Sequence, residues 1–344
     1  LDSINYCEII DKKGGLSMGK QTIQGKGFEY ACLKTFYEFL SVSNIRVNIA
    51  DNKAYFTAKS KFEELPNNVR EDMLLAASAS VQSIINSEPN LINGEELIEI
   101  SIAEDKKGSE GDVRDLIFLK SESGWEVGIS CKHNHHALKH SRLSQTIDFG
   151  DKWLGYPVSD TYWESITPVF SYLQKLKDET KTLDKKLQNK WDKIPNKDLD
   201  VYRPILDAFH DEVIRLSKEY KDVPKKLIEY LLGRKDFYKV IAKDNERKTI
   251  IQAFNLQETL STNCGKVKPR SKCKSLAGVL PKMIYSFDYK EGSSNTLILV
   301  LDKGWTISFR IHNASSRIEP SLKFDIQLVG IPSAVANIEQ YWEE

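Results

Sequence analysis

Residues 111–140, GDVRDLIFLKSESGWEVGISCKHNHHALKH, constrain this chain more than any other stretch. An acidic entry leads into the apolar run Leu116–Leu119, Ser121–Gly124 has the composition of a turn, and Trp125–Lys132 returns as a second strand. Gly124 suits a turn position that needs a positive φ. Strand side chains alternate faces, and hairpin partners keep a roughly constant index sum. Centring the turn between Glu122 and Ser123 therefore puts Asp115 opposite Ser130 and Val113 opposite Lys132. Asp115 and Lys132 become diagonal neighbours, within the ~7–8 Å over which such pairs interact. Ser130 and Lys132 share a face, and Asp112 lies just outside the strand entry. The residues after Lys132 read as the start of a basic, histidine-rich helix.

Around this hairpin the patterning is that of a mixed α/β core carrying elaborations. Residues 25–40, GKGFEYACLKTFYEFL, place Phe28, Ala31, Cys32, Thr35, Phe36 and Phe39 on one helical stripe. A short polar strand-like piece spans Arg46–Thr57, a helix Val69–Ile85, and the alternating LIEISIA a strand over Leu97–Ala103. From Trp163 to Leu260 the pattern is helical, decorated with charge and punctuated by Pro195, Pro204 and Pro224. From Met283 onward four β-like segments follow. The expected division is a core over 1–160, a helical region over 161–262, and a basic loop with a β-rich region over 263–344.

One end of the hairpin thus collects two carboxylates and a lysine. Hydrolysis of a phosphodiester needs its oxygens neutralised, a water activated and a leaving oxygen stabilised. A hard divalent ion held by carboxylates supplies most of that, and a lysine adds a mobile positive charge beside the phosphate. Any one of Asp112, Asp115 and Lys132 alone would read as a solvated surface charge; their convergence beside basic residues is what carries the chemistry.

The order of helix, strand, acidic hairpin, x-x-Lys and basic helix resembles the PD-(D/E)XK nuclease core. The strings GDVRDLI and GISCKHNHHALKHSRLS resemble type II restriction endonucleases of the HaeIII type, as do QGKGFEYACL, FGDKWLG and SLKFDIQLVGIPS, so the likeness spans most of the chain. The resemblance implies that Asp115 is the metal-binding Asp, with Asp112 its competitor, and that Lys132 is the lysine of the motif. The acid usually found two residues before that lysine is replaced by Ser130. Another carboxylate must then substitute: Glu29 on the first core helix is the first choice and Asp112 the second. Glu126 shares the strand face of Lys132 but lies roughly 20 Å away at the strand rise. The implied activity is magnesium-dependent, site-specific cleavage of double-stranded DNA, at GGCC, leaving 5′-phosphates. A short palindromic target implies a homodimer, and a methyltransferase that shields host DNA is the expected functional partner.

His133, Asn134, His135 and His140, with Lys139 and Arg142, are candidates for contact with phosphates next to Lys132. A helix there would also set His136 and His140 one turn apart, a spacing that two zinc ligands use. Cys264–Lys282 carries Lys266, Lys268, Arg270, Lys272, Lys274 and Lys282 without an acid, a charge imbalance suited to tracking a DNA backbone. It stands out because Lys+Arg and Asp+Glu are equal at 49 each, so the net charge by itself demands no polyanion. Arg310, Asn313 and Arg317 are candidate base readers, since arginine pairs with guanine and asparagine with adenine. The five scattered cysteines suggest reduced thiols, no apolar run approaches the ~20 residues of a membrane helix, and the N-terminal residues lack a secretion pattern, so a cytoplasmic protein is expected. Competing readings are a repair or structure-specific nuclease, a non-catalytic DNA-binding protein on a nuclease fold, and a zinc hydrolase using the histidines.

Overall fold

Among the described residues, seven strands form a mixed sheet, in spatial order 47–49, 98–102, 116–120, 125–133, 237–243, 248–254 and 336–341, and six form an antiparallel one, in spatial order 137–139, 322–330, 306–312, 296–301 and 284–289, with 142–143 also paired to 322–330. The computed structural model describes residues 17–104, 112–185, 187–262 and 273–343. The helices are α1 (Ser17–Val42), α2 (Lys53–Glu63), α3 (Asn67–Ser87), α4 (Asp160–Asp178), α5 (Arg203–Glu219) and α6 (Val223–Leu232). The first sheet is built from β1 (Val47–Ile49), β2 (Ile98–Ile102), β3 (Leu116–Lys120), β4 (Trp125–His133), β7 (Phe237–Lys243), β8 (Lys248–Phe254) and β13 (Ala336–Tyr341). The second contains β5 (Ala137–Lys139), β6 (Arg142–Leu143), β9 (Ile284–Tyr289), β10 (Thr296–Leu301), β11 (Thr306–His312) and β12 (Leu322–Gly330).

The apolar stripe of α1 buries Phe28, Phe36 and Leu40 with Met73 and Ile84 of α3 against Ile100, Phe118, Ile129 and Val240 of the first sheet. The Phe36 ring meets that of Phe118 edge-on at 5.1 Å. The second core is aromatic: Phe209 of α5 lies 5.3 Å from Phe309 and 5.0 Å from Phe324 on the second sheet. Burying each such ring contributes a few kcal/mol.

The hairpin forms in the expected register, with Leu116 facing Ile129 and Lys120 facing Trp125. Gly124 has φ 69° in its turn. Three other expectations are corrected. The polar piece after Arg46 yields a strand of only three residues before Asn52 caps α2 through its side chain. No helix follows Lys132: Asn134 turns the chain at φ 52°, and residues 137–139 and 142–143 become β5 and β6 by pairing with β12. The local sequence has no apolar stripe to hold a helix against the core, and the edge of β12 offers the backbone hydrogen bonds instead. The helical stretch ends at Leu232. FYKVIAK and KTIIQAF beyond it are strands β7 and β8, and β7 pairs in parallel with β4. The continuous burial of β7 is that of a central strand covered on both faces. The first sheet therefore draws strands from all three expected segments of the chain.

Candidate active site

The parallel pairing of β4 with β7 and the packing of α1 across β4 bring the acidic hairpin and the first helix to one place. Asp115 enters β3 with its backbone N–H donating to the Ile129 carbonyl at 2.8 Å. Its Oδ2 accepts from the Cys131 backbone N–H at 2.7 Å, from Lys132 Nζ at 2.9 Å and from Ser130 Oγ at 3.2 Å. Ser130, where a second acid was to be expected, is therefore a donor to the first. Burial opposes the charge of Lys132, but Asp115 and then Glu29 outweigh that and push its amine above the usual lysine value.

Glu29, the first choice for a substituting acid, lies near enough to Asp115 and Lys132 for their charges to act on it. It is 7% exposed on the inner face of α1, with Lys26 Nζ 3.1 Å from Oε2. Burial, and after it the charge of Asp115, push Glu29 up to about 7 against the opposing pull of Lys26 and Lys132. The charge of Asp115 thus adds to the cost of ionising Glu29, and the two carboxylates stand with two lysines, Lys26 and Lys132, beside them. Among the described residues no group of three or more His, Cys, Asp or Glu is placed to hold a metal ion, so a cation here would have at most this pair of carboxylates to draw on. Magnesium is usually held by one or two carboxylates, with waters and substrate phosphate completing the octahedron, and the pair fits that demand.

Asp112 does not join them. Arg114 Nε and Nη2 donate to its carboxylate at 2.9 and 2.8 Å, and the Arg114 backbone N–H at 3.1 Å. Arg114 also approaches Glu126 at 3.5 Å, so both acids serve a buried guanidinium. Its side chain crosses β4 at Gly128, where a Cβ would stand 2.0 Å from Arg114 Cδ.

The residues after Lys132 divide. His133 Nε2 lies 3.0 Å from Asp244 Oδ1 with its side chain 2% exposed, and Phe28 packs on its ring at 5.8 Å. The Asn134 amide donates to Asp244 Oδ2 at 2.8 Å and accepts the Asp244 N–H at 3.0 Å. Both hold the turn together instead of presenting donors to a ligand, which corrects their expected role. Asn313 is likewise occupied, its amide donating to the Ser315 and Arg317 carbonyls. Arg317 donates to Gln188 Oε1 at 3.0 Å, and Arg142, exposed, to Ser321 Oγ at 2.9 Å. Lys139 Nζ sits 3.7 Å over the Tyr230 ring and donates to the Tyr230 carbonyl; burial lowers it to about 8. His140 and Arg310 converge on Asp325: His140 Nδ1 stands 2.8 Å from Oδ1, and Arg310 Nη2 donates to Oδ2. The His135 ring lies 5.6 Å from that of His140. Burial is the main force lowering His135 to about 4; Lys132 lowers it further and Asp325 opposes. His136 and His140 flank a strand, so the helical zinc pairing has no basis. Lys268, Arg270 and Lys272 lie outside the described residues.

Two functional candidates escaped the sequence reading. Lys239 of β7 pairs with Ser130 in the sheet, is 3% exposed and donates to the His136 carbonyl at 2.7 Å. Burial, then the charge of Lys132, lowers it to about 7. Asp325 is the other. Each is a charge near the middle of a largely apolar strand, FYKVIAK and LKFDIQLVG, and that was the signal available.

The HaeIII restriction endonuclease family model matches residues 25–332. The type II restriction enzyme HaeIII of Haemophilus aegyptius is 39% identical over 330 residues, covering 94% of this chain and 99% of that enzyme. No solved structure matches.

Proposed function

We propose, from the premise that this chain belongs to the HaeIII restriction endonuclease family and is a type II site-specific deoxyribonuclease, that it cuts double-stranded DNA at GGCC and leaves 5′-phosphates. The enzyme needs a divalent metal ion, and magnesium is the one its donor set favours. Glu29 and Asp115 would hold the ion. Bound there, it would neutralise the scissile phosphate and sharpen the acidity of a water.

The remaining chemistry belongs to the chain. Asp115, fixed by the Cys131 N–H and Ser130 Oγ, holds Lys132 Nζ at 2.9 Å beside the acids. The ammonium is thereby kept charged and aimed at the position of the phosphate, where it binds an equatorial oxygen and orients the attacking water. Burial of Glu29 excludes bulk water from the other side. Lys139, His140, Arg142 and Arg310, with the segment bearing Lys268, Arg270 and Lys272, contact the duplex. A palindromic target is met by a homodimer, and a cognate methyltransferase protects host DNA in the cytoplasm. No helix among the described residues is long and apolar enough to cross a membrane.

The observation that carries this reading is the convergence of Glu29, Asp115 and Lys132, from three separate elements, in a chain of this family. The test is to incubate purified protein with plasmid and magnesium and sequence the ends. Discrete bands ending within GGCC support it; a smear, or cuts at another sequence, refutes the assigned target.

A further inference from the structure

The second sheet has a polar face that the cleavage chemistry does not use. Ile307, Phe309 and Ile311 of β11 point into the aromatic core, so strand alternation puts Ser308, Arg310 and His312 on the opposite face. The register sets these against Gln327, Asp325 and Lys323 of β12, and Arg142 of β6 stands across from Lys323. The face is therefore rich in cations gathered round one acid.

That acid is inside and its partners are outside. The Asp325 side chain is 4% exposed, whereas those of Arg310 and His140 are 51% and 40% exposed. His140 takes Oδ1, Arg310 takes Oδ2, and His312 Nδ1 approaches Oδ2 at 3.9 Å. Burial opposes the charge of Asp325, but the His140 and Arg310 hydrogen bonds outweigh it and hold the group well below the usual carboxylate range. An ionised carboxylate so placed fixes one edge of the Arg310 guanidinium and leaves its other N–H groups directed outward, with much of the ordering cost already met. Arginine has donors and no acceptor. The major-groove edge of guanine offers two acceptors, N7 and O6, and no donor. His135 lies beside His140 and feels the charges of both Lys132 and Asp325, so the cluster adjoins the cleavage centre.

We propose that Asp325 is a specificity-determining residue, a buried support that presents Arg310 and His140 as a guanine-reading pair in the major groove next to the scissile phosphate. The proposal rests on the reading of this chain as a nuclease with a guanine-containing site, and it goes further by naming the atoms read.

The experiment measures single-turnover cleavage of duplexes carrying the mapped site, with 7-deazaguanine replacing each guanine in turn to delete N7. Wild-type protein is expected to lose roughly 10- to 100-fold at one guanine. Asp325→Asn and Arg310→Met should each reduce that penalty to below about threefold, the mark of a lost base contact, which a merely structural role would not erase. Arg310→Met keeps an unbranched stem at an exposed position and removes every donor, so it decides the matter if Asp325→Asn does not fold. Wild-type indifference to deazaguanine at every position would overturn the proposal, as would both variants keeping the full penalty. Absence of any guanine in the mapped site would remove the underlying reading as well, which separates the two failures.

Discussion

Burial and the charge of Asp115 hold the Glu29 carboxyl at about 7, and this gives the metal-free protein a particular response to pH. Below the ordinary glutamate value the group is neutral in both folded and unfolded chains. Between about 4.5 and about 7 the unfolded chain releases its proton while the folded one keeps it, so stability falls as pH rises through that window. Glu29→Gln should therefore melt with wild type near pH 4 but be more stable by roughly 1–3 kcal/mol at about pH 8 without metal. Added magnesium should stabilise wild type at that pH and leave the variant nearly unmoved; equal metal responses in a thermal melt would show that Glu29 does not face the ion. At Lys132 the expectation is different. Lys132→Ala should lower the cleavage rate by roughly 100- to 1,000-fold while duplex binding, followed by gel shift, stays within a fewfold. Asp115 and Lys132 were legible as a pair because a hairpin's register follows from its turn. Glu29 could be nominated from likeness alone, since nothing local shows that α1 crosses β4.

At the scale of elements, Gly128 lets the Arg114 side chain cross β4. Gly128→Val would place carbon atoms where the Arg114 stem lies. It should cost about 1–3 kcal/mol by overpacking and displace Arg114 from Asp112 and Glu126; a denaturant titration matching wild type would show that Arg114 takes another route. Asp112 is the element-scale lesson from the sequence side. Its distance along the chain made it a competitor for the metal, but a two-residue spacing lets Arg114 fold back on it. The misread helix after Lys132 and the missed strand β7 share one cause: KHNHHALKH and FYKVIAK each take hydrogen bonds from segments about 110–190 residues away in sequence, and periodicity within a short window does not report partners that distant. The β7–β8 hairpin, by contrast, is local and was overlooked within the charged helical stretch. The long alternating strands β9–β12 were legible because each carries its own inner and outer face.

For the whole molecule, equal numbers of acids and bases leave duplex binding to local fields, and the cationic face of the second sheet supplies one. Affinity for DNA should then fall about 1,000-fold or more between roughly 50 and 200 mM salt if six or more phosphates are neutralised; a flat salt response in a binding titration would exclude that face as the contact surface. The fold was legible as a mixed α/β core, whereas the closing of its first sheet by β13 was not, because Ala336–Tyr341 pairs with β8 across more than 80 residues. A helix, a strand entry and a strand end are proposed to supply Glu29, Asp115 and Lys132 to a single cleavage centre. The decisive measurement is the single-turnover rate of a GGCC duplex with Glu29→Gln at saturating protein and magnesium. The expected rate is lower by roughly 100-fold or more with the duplex still bound; cleavage at the wild-type rate would put Glu29 outside the centre.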